Sequence, residues 1–193
     1  VSRGYGRKDH TCREVLEHST PAEVGDEPLL IRTRSQVPVF VGPKRHTTAM
    51  ALLARYPQIQ VVVCDDGLQH FALYRDIEVC VFDNRGCGNG WLLPAGPLRE
   101  FWPRKGIFSA GQCVHSTLVL HTGSQPAFAG YTGIRKLAAY GLRANGDKLL
   151  LANLDSPRTA GWIAVAGTSQ PEEFFAMLAA LGMPLEQTVA LPD

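Results

Sequence analysis

The sequence predicts an α/β fold, with a mostly parallel sheet that carries helices on both faces. Three runs dominated by apolar residues support this prediction: Val61–Val63, Ile77–Phe82 and Trp162–Gly167. Such runs are typical of strands that are buried on both faces of a parallel sheet. Apolar residues at helical spacing precede the first run, over about Thr47–Tyr56, and follow the last, over Phe174–Leu181. The alternation of strand, helix and strand is the pattern of an α/β domain.

The first part of the chain contributes the earliest elements of this alternation. Val1–Gly6 has the composition of a strand end that runs into a glycine turn, and Glu14–His18 favours a short helix. Val37–Val41 is a short apolar strand, and the helix over about Thr47–Tyr56 follows it. The apolar run at Val61–Val63 then begins the next predicted strand.

An acidic pair occupies the stretch Gly25–Pro28. Because proline disfavours the helical conformation at the preceding residue, we expect Pro28 to hold Asp26 and Glu27 in an extended or turn geometry. The pair is either a functional acidic site or a solvated acidic turn. The local sequence leaves both interpretations open.

A basic pair, Lys44 and Arg45, stands at the predicted start of the helix over about Thr47–Tyr56. The helix dipole disfavours cations at this end of a helix, which indicates that the pair serves an anion. The alternative is a solvated basic turn, which is the commoner arrangement for such residues.

Two adjacent carboxylates, Asp65 and Asp66, follow the second apolar strand. Ligands of open α/β sheets bind at the carboxyl ends of the strands, so this position directs at least one carboxylate towards a site. An apolar strand that ends in Asp is also how P-loop phosphotransferases present a carboxylate to a magnesium-bound nucleotide. Gly67 permits a sharp turn, and Gln69 and His70 follow within reach of the same edge. The alternative role of an Asp here is to cap the next helix or turn.

Three further segments lie between this site and the middle of the chain. Arg85–Glu100 is predicted to be an ordered loop, packed by its own Trp and Leu residues at the same sheet edge. Phe101–Phe108 mixes large apolar and basic residues. It is either a patch that rests on an anionic membrane or a set of core aromatics with solvated cations. Val114–His121 is a further predicted strand.

The domain organisation predicted from these elements has three parts. Residues 1–121 form the core of the α/β domain, and residues 122–160 form a small element of two or three antiparallel strands. Residues 161–193 return to the α/β pattern. There, a cap and an early proline at Thr168–Glu173 begin a helix, and Thr188–Leu191 begins another strand.

Composition excludes several classes of protein. With 193 residues, 45% of them hydrophobic, the chain can bury a core of one domain or slightly more. A net charge of +1 provides no field for nucleic acid, so we do not expect RNA or DNA as a partner. The five cysteines are odd in number and include no C-x-x-C pair. They fit reduced thiols in a cytosolic protein better than a disulfide framework or a zinc site.

Two long motifs resemble those of the tetraacyldisaccharide 4'-kinase family, the lipid A 4'-kinases of Gram-negative bacteria. The motifs are Asp65-Asp66-Gly67-Leu68-Gln69-His70 and Gly88-Asn89-Gly90-Trp91-Leu92-Leu93-Pro94-Ala95-Gly96-Pro97-Leu98-Arg99-Glu100. Shorter agreements lie at Ser2–Gly6, Gly25–Pro28 and Ala164–Gly167 with Pro171. The resemblance covers most of the chain, and the motifs are too long for chance.

The resemblance implies a P-loop-kinase-like fold and a phosphoryl transfer. The expected reaction moves the γ-phosphate of ATP, with Mg²⁺, to the 4'-hydroxyl of a tetraacyl glucosamine disaccharide 1-phosphate in lipid A biosynthesis, a step towards lipopolysaccharide. The expected partners are therefore ATP, the acylated disaccharide lipid and an anionic membrane. The implied location is the cytoplasmic face of the bacterial inner membrane, with peripheral contact and with the anchor segment outside this chain.

By the same resemblance, Asp26 matches the base that activates the sugar hydroxyl. Asp66 and His70 complete the implied catalytic set. A hydroxyl is a poor nucleophile, and phosphoryl transfer depends mostly on positioning and on charge stabilisation. These roles therefore suit groups that are held in place at one edge of a sheet.

The resemblance also implies residues for the nucleotide and the metal. Glu27, Arg45 and Gln69 would contact the nucleotide, its phosphates or the substrate. Glu27, Asp65 and Asp66 would hold magnesium or its bound waters. Carboxylate oxygens are the protein ligands that Mg²⁺ prefers.

Two departures from the family pattern lead to two hypotheses. The chain has no G-x-x-x-x-G-K-[ST] motif, so we expect the phosphate-binding loop to lie upstream of Val1. The family also continues past Pro192 and Asp193 with a histidine that pairs with the base. The first hypothesis is an incomplete piece of a working kinase, inactive or nearly so by itself. The alternative is a non-catalytic lipid-binding or partner-binding remnant of the family.

Overall fold

The computed structural model describes residues 1–103, 116–123, 125–151 and 161–192. Over these residues the fold is mixed α/β, which confirms the predicted class. The helices are α1 (Pro21–Val24), α2 (Asp26–Ser35), α3 (Arg45–Arg55) and α4 (Pro171–Ala180). The strands are β1 (Arg13–Glu14), β2 (Phe40–Val41), β3 (Ile77–Phe82), β4 (Ser116–His121), β5 (Tyr131–Thr132), β6 (Tyr140–Leu142), β7 (Lys148–Leu150), β8 (Trp162–Ala166) and β9 (Leu185–Ala190).

The longest strand pairings are parallel. β3 pairs with β4 in a continuous register from Ile77 opposite Ser116 to Phe82 opposite His121, and β5 adds a short parallel edge to β4. β8 and β9 form a second parallel pair. β6 and β7 form an antiparallel hairpin, as predicted for the middle of the chain. The three-part domain division itself stays a prediction.

The first two residues of the chain lie between two other segments. The Val1 amino group donates to the Val63 carbonyl at 2.7 Å, and the Asp65 N–H donates to the Val1 carbonyl at 3.0 Å. On the other side, the Ser2 N–H donates to the Phe40 carbonyl at 3.0 Å. These bonds bring the ends of three segments to the same edge of the structure.

The prediction that Val61–Val63 is a strand buried on both faces is wrong. Val61 and Val63 are 76% and 75% exposed, and the segment has no strand assignment. Hydrogen bonds to Val1 pair the backbone along one edge of the segment. Within the described residues, no helix or sheet packs over the side chains of Val61 and Val63. They line an apolar cavity of about 410 Å³ together with Val1 and Val37.

β3 is also buried on one face only. Ile77, Val79 and Val81 are 60%, 48% and 57% exposed, whereas Glu78 and Cys80 between them are buried. The alternation shows that the described residues cover a single face of this strand. The predicted burial of both faces is therefore wrong for β3 as well, although its length and its parallel pairing are as predicted.

Two separate apolar clusters hold the described elements together. Val15, Val24, Val39 and Val41 form the first, with Leu29 and Ile31 of α2 packed against it. The second joins α4 to β8, and its buried members are Ala164, Ala166, Phe175 and Leu178. The first cluster lies beneath the segments that bear the acidic and basic pairs, and so determines where those pairs stand.

Two local predictions near the start of the chain are wrong. Asp26 and Glu27 are not extended, because α2 begins at Asp26 and includes Pro28. Proline is tolerated there since the first N–H groups of a helix have no intrahelical partner. The predicted helix at Glu14–His18 is absent, because Glu14 pairs with Phe40 as part of β1. The helix predicted over about Thr47–Tyr56 is confirmed as α3.

The loop predicted over Arg85–Glu100 is packed only in part by its own residues, because Leu92 and Leu98 are half-buried but two other apolar side chains are not. Trp91 and Leu93 are 64% and 63% exposed. Instead, the Asn89 amide donates to the Ala95 carbonyl at 2.9 Å and accepts the Trp91 N–H at 3.1 Å. A side-chain amide that bonds the backbone can replace an apolar core in a loop of this size.

The predicted patch at Phe101–Phe108 is described only up to residue 103. Phe101 is 64% exposed, whereas the Trp102 ring packs against Phe82 with 4.9 Å between ring centroids. Residues 104–108 lie outside the described residues. The two interpretations of the patch therefore each have one aromatic residue in their favour.

A buried ion pair connects β3 to the turn that carries the two aspartates. The Glu78 side chain is 0% exposed and the Arg75 side chain 13%, and their charged groups are 2.9 Å apart. Arg75 also donates to the carbonyls of Gly67 and Leu68, at 2.9 and 2.7 Å. The guanidinium thus supports both a buried carboxylate and the backbone of the turn.

We expect Arg75→Met to lower the free energy of unfolding of the intact protein by about 3–5 kcal/mol, because it removes the cation of a buried pair. Urea unfolding measures the change. Arg135→Met is the matched control: its pair with Glu173 is exposed, at 51% and 36%, and should contribute less than about 1 kcal/mol. Equal losses in the two variants would show that burial does not set the strength of the Arg75 pair.

Candidate active site

The acidic pair, the two aspartates and the basic residue at the start of α3 meet at one edge of the structure. Asp26 and Glu27 form the first turn of α2, and Asp65 follows the segment that pairs with Val1. Arg45 is the first residue of α3. The hydrogen bonds of Val1 and Ser2 align the segments that lead to Arg45 and Asp65, and the packing of Leu29 and Ile31 on the first apolar cluster holds α2.

The Glu27 and Asp65 side chains contact each other at the centre of this edge. Partial burial, followed by the charge of Asp65 and a hydrogen bond with it, raises the pKa of the Glu27 carboxyl. Asp26 and Asp66 raise that pKa further. The Ser2 hydroxyl donates to Asp65 Oδ2 at 3.0 Å and so holds the aspartate side chain in place. Protonation of Glu27 or a bound cation therefore favours this close approach of the two carboxyls.

Arg45 is buried beside this pair, with 2% exposure. Its Nη2 donates to the Asp65 carbonyl at 3.0 Å, and its Nη1 lies 3.4 Å from the Gly42 carbonyl. Among the described residues the buried Nε–H has no hydrogen-bond partner. Burial, the largest cause, lowers the pKa of the guanidinium, while the charges of Asp65 and Asp66 act in the opposite direction.

Asp66 points away from Asp65 and makes a different contact. Its backbone has a φ of 45°, a left-handed conformation that is uncommon outside glycine. Arg99 Nη1 donates to both oxygens of its carboxylate, at 2.8 and 2.7 Å. The neighbouring contact is similar: Gln69 Nε2 donates to Glu100 Oε1 at 2.7 Å.

His70 lies behind the aspartates, half-buried. Burial, followed by the positive charges of Arg45 and Arg3, lowers the pKa of its imidazole, and Asp66 raises it by a smaller amount. The ring is therefore neutral at physiological pH, and a neutral imidazole can both donate and accept a hydrogen bond.

The structure brings all seven residues predicted from the sequence to this edge. They are Asp26, Glu27, Arg45, Asp65, Asp66, Gln69 and His70. The sequence reasoning missed the roles of Ser2, Arg75, Arg99 and Glu100. Ser2 and Arg99 do lie in the stretches that carry the family resemblance, which is a signal for them. Arg75 lies outside those stretches and could be found only from its contacts.

A magnesium ion would find suitable oxygen donors at the Glu27 and Asp65 carboxyls. Their close approach, and the raised pKa of Glu27 that results, are what a bound cation would relieve. Within the described residues, no three His, Cys, Asp or Glu side chains are already arranged around a common metal position. Asp66, the third predicted ligand, is turned towards Arg99.

Comparisons with known proteins show the family of the chain. The family model described as tetraacyldisaccharide-1-P 4'-kinase matches residues 1–193. Curated relatives named tetraacyldisaccharide 4'-kinase include those of Polaromonas sp. (strain JS666 / ATCC BAA-500) and Polaromonas naphthalenivorans (strain CJ2), both 53% identical over 196 residues. Another, from Acidovorax sp. (strain JS42), is 50% identical over 195 residues.

These alignments cover 100% of this chain but 54% of each of those relatives. The chain therefore spans about half the length of the curated relatives it matches. No solved structure matches the chain.

Glu27→Gln should raise the midpoint temperature of unfolding of the ligand-free intact protein at pH 8. The raised pKa means that the folded state disfavours the Glu27 carboxylate, and this penalty develops only as the pH rises above the ordinary value of 4.5. At pH 4 the side chain is protonated in both states, so the variant should match the wild type. Calorimetry at the two pH values, without divalent cations, measures the difference.

Glu23→Gln is the matched control, for which we expect the opposite change in the midpoint temperature of unfolding. Hydrogen bonds from the Thr20 backbone and hydroxyl lower the pKa of Glu23, so its carboxylate stabilises the fold above the ordinary pKa. This variant should lower the midpoint at pH 8. A Glu27→Gln midpoint at or below the wild-type value at pH 8 would contradict the strained carboxyl pair.

Proposed function

The chain belongs to the tetraacyldisaccharide-1-P 4'-kinase family, and on that premise we propose that its protein is a lipid A 4'-kinase. The reaction would transfer the γ-phosphate of ATP to the 4'-hydroxyl of a tetraacyl glucosamine disaccharide 1-phosphate. Since the chain spans about half of its relatives, the proposal concerns the whole protein. The substrate comes from the names of the family and the relatives, and the site supplies the chemical argument.

The observation that carries the proposal is the position of Asp26 beside the contacting Glu27 and Asp65 carboxyls. A general base must stand next to the charges that stabilise the transferred phosphoryl group. Asp26 is exposed, so a sugar hydroxyl from solvent can reach it. Its carboxylate would accept the hydroxyl proton as the oxygen attacks the γ-phosphorus.

Glu27 and Asp65 would hold Mg²⁺, with Asp66 as a further ligand or a partner of its waters. When held there, the ion would supply positive charge opposite the negative charge that develops on the phosphates of ATP. Ser2 supports this role from the protein side, because its hydroxyl keeps Asp65 in place. The first turn of α2 in turn keeps Glu27 facing Asp65.

The basic and neutral groups behind the carboxylates would orient the nucleotide. Among the described residues the Arg45 Nε–H has no hydrogen-bond partner, and it is a buried, positively charged donor. Such a donor suits a phosphate oxygen. His70 would add a neutral hydrogen bond to ATP or to the lipid head group, whereas the Gln69 amide is held by Glu100. The sequence lacks the glycine-rich Walker loop and its lysine, so we propose that a part of the protein corresponding to the uncovered length of the relatives supplies them.

The acyl chains of such a substrate require an apolar environment, so we propose a peripheral contact with the cytoplasmic face of the inner membrane. Phe101, Trp91 and Leu93 are exposed near the site and would enter the headgroup layer. In the part of the chain that the structure describes, no helix has the length and apolar character needed to span a bilayer.

Asp26→Asn should lower kcat by about 100-fold to 10,000-fold, because it removes the base and leaves the shape of the site unchanged. KM for ATP and for the lipid should stay within about threefold of the wild-type values. The assay is magnesium-dependent transfer of radioactive phosphate from ATP to a tetraacyl disaccharide 1-phosphate by the intact protein. Asp147→Asn, in the turn between β6 and β7, is the control and should keep full activity.

Wild-type activity in Asp26→Asn would remove Asp26 from the role of base. Absence of transfer by the intact wild-type protein, with retained binding to lipid vesicles, would instead favour the non-catalytic alternative. The 193-residue chain assayed by itself tests where the phosphate cradle lies. Activity in that chain would mean that the cradle is built within residues 1–193.

A further inference from the structure

The Asp65–His70 turn is attached to a second loop, Gly88–Glu100, at two points. We propose that this loop is a positioning element of the site. On this proposal Arg99 acts through Asp66, and Glu100 acts through Gln69, without contact with the substrate. The inference rests on the proposed kinase function for its kinetic consequences only, because the contacts themselves can be tested without activity.

The two attachments join neighbouring residues of the loop to nearby residues of the turn. Arg99 binds both oxygens of Asp66, at 2.8 and 2.7 Å, and the next residue, Glu100, accepts from Gln69 at 2.7 Å. Arg45 and Arg75 hold backbone carbonyls of this turn, and the loop adds contacts to its side chains. Two contacts between consecutive loop residues and nearby turn residues fix its orientation.

The Gly88–Glu100 loop is itself braced, so it can hold another segment in place. The Leu93 N–H donates to the Leu98 carbonyl at 2.9 Å, and the Leu98 N–H donates to the Trp91 carbonyl at 3.2 Å. Gly96 packs so closely that a Cβ there would clash with the Asn89 side chain and the Trp91 carbonyl. These internal contacts bring the end of the loop to a defined position, where Arg99 and Glu100 emerge.

The turn has a property that calls for such support. Asp66 adopts a φ of 45°, which is strained for a residue with a side chain. The Arg99 and Asp66 side chains are 57% and 63% exposed, and an exposed ion pair contributes little to global stability. The loop should therefore affect the geometry of the turn, and through it the reaction, much more than the free energy of unfolding.

A donor–acceptor exchange between Gln69 and Glu100 tests the proposal. Gln69→Glu places two carboxylates against each other, whereas the double variant Gln69→Glu/Glu100→Gln restores one donor and one acceptor. In the intact protein, kcat/KM should fall about 100-fold in Gln69→Glu, as expected for a misplaced site. The double variant should return to within about fivefold of the wild type. If both variants are equally impaired, these side chains contact the substrate directly and the proposal is wrong.

Hydrogen exchange of the turn provides a readout that needs no activity. The His70 N–H donates to the Gly67 carbonyl at 3.0 Å, and the Leu73 N–H donates to the His70 carbonyl at 3.0 Å. Both amides should exchange at least about fivefold faster in Gln69→Glu and in Arg99→Met, and at the wild-type rate in the double variant. Arg85→Met is the control, since Arg85 is an exposed arginine paired with Asp83 instead.

Unchanged exchange at these amides in Arg99→Met and Gln69→Glu would overturn the proposal. An inactive wild-type protein would overturn the proposed function and leave the exchange comparison to decide on the positioning role. Faster exchange together with recovery in the double variant supports the loop as a positioning element whether or not the kinase reaction is observed.

Discussion

The short ladder of hydrogen bonds around Val1 and Ser2 determines where the site lies. It joins Phe40–Gly42 on one side to Val63–Asp65 on the other, so that α3 and the aspartate turn both start at the same edge. Ser2 then contributes a buried hydroxyl to Asp65. This alignment sets Asp65 beside Arg45, and the packing of Leu29 and Ile31 on the first apolar cluster holds α2, which carries Glu27.

Two buried arginines hold the aspartate turn through its backbone. Arg45 donates to the Asp65 carbonyl from one side, and Arg75 donates to the Gly67 and Leu68 carbonyls from the other. Both guanidinium groups donate to carbonyl oxygens of the turn, although the Arg45 charge still acts on the Asp65 carboxylate. In a site for a cation, the arginines that hold the backbone should not also occupy the carboxylate oxygens that would bind the cation.

The sequence predicted the fold class and indicated candidate residues that the structure brings close together, because both depend on local patterns. Apolar runs followed by polar residues located β3, β8 and the aspartate turn. It failed where tertiary context decides the outcome. Pro28 did not prevent a helix at Asp26, since the first turn of a helix tolerates proline. Val61–Val63 looked like a buried strand, but burial depends on layers that a single segment does not reveal.

The same distinction applies to the two aspartates, at least one of which the sequence directed towards a site. Side chains of neighbouring extended residues point in opposite directions, and the left-handed φ of Asp66 separates them further. Asp65 faces Glu27, where two carboxyls at contact favour a shared proton or a cation. Asp66 faces Arg99, where the charge is already compensated. Since a cation gains most where carboxylates lack compensation, Glu27 and Asp65 form the stronger part of the proposed metal site, and Asp66 connects that site to the loop.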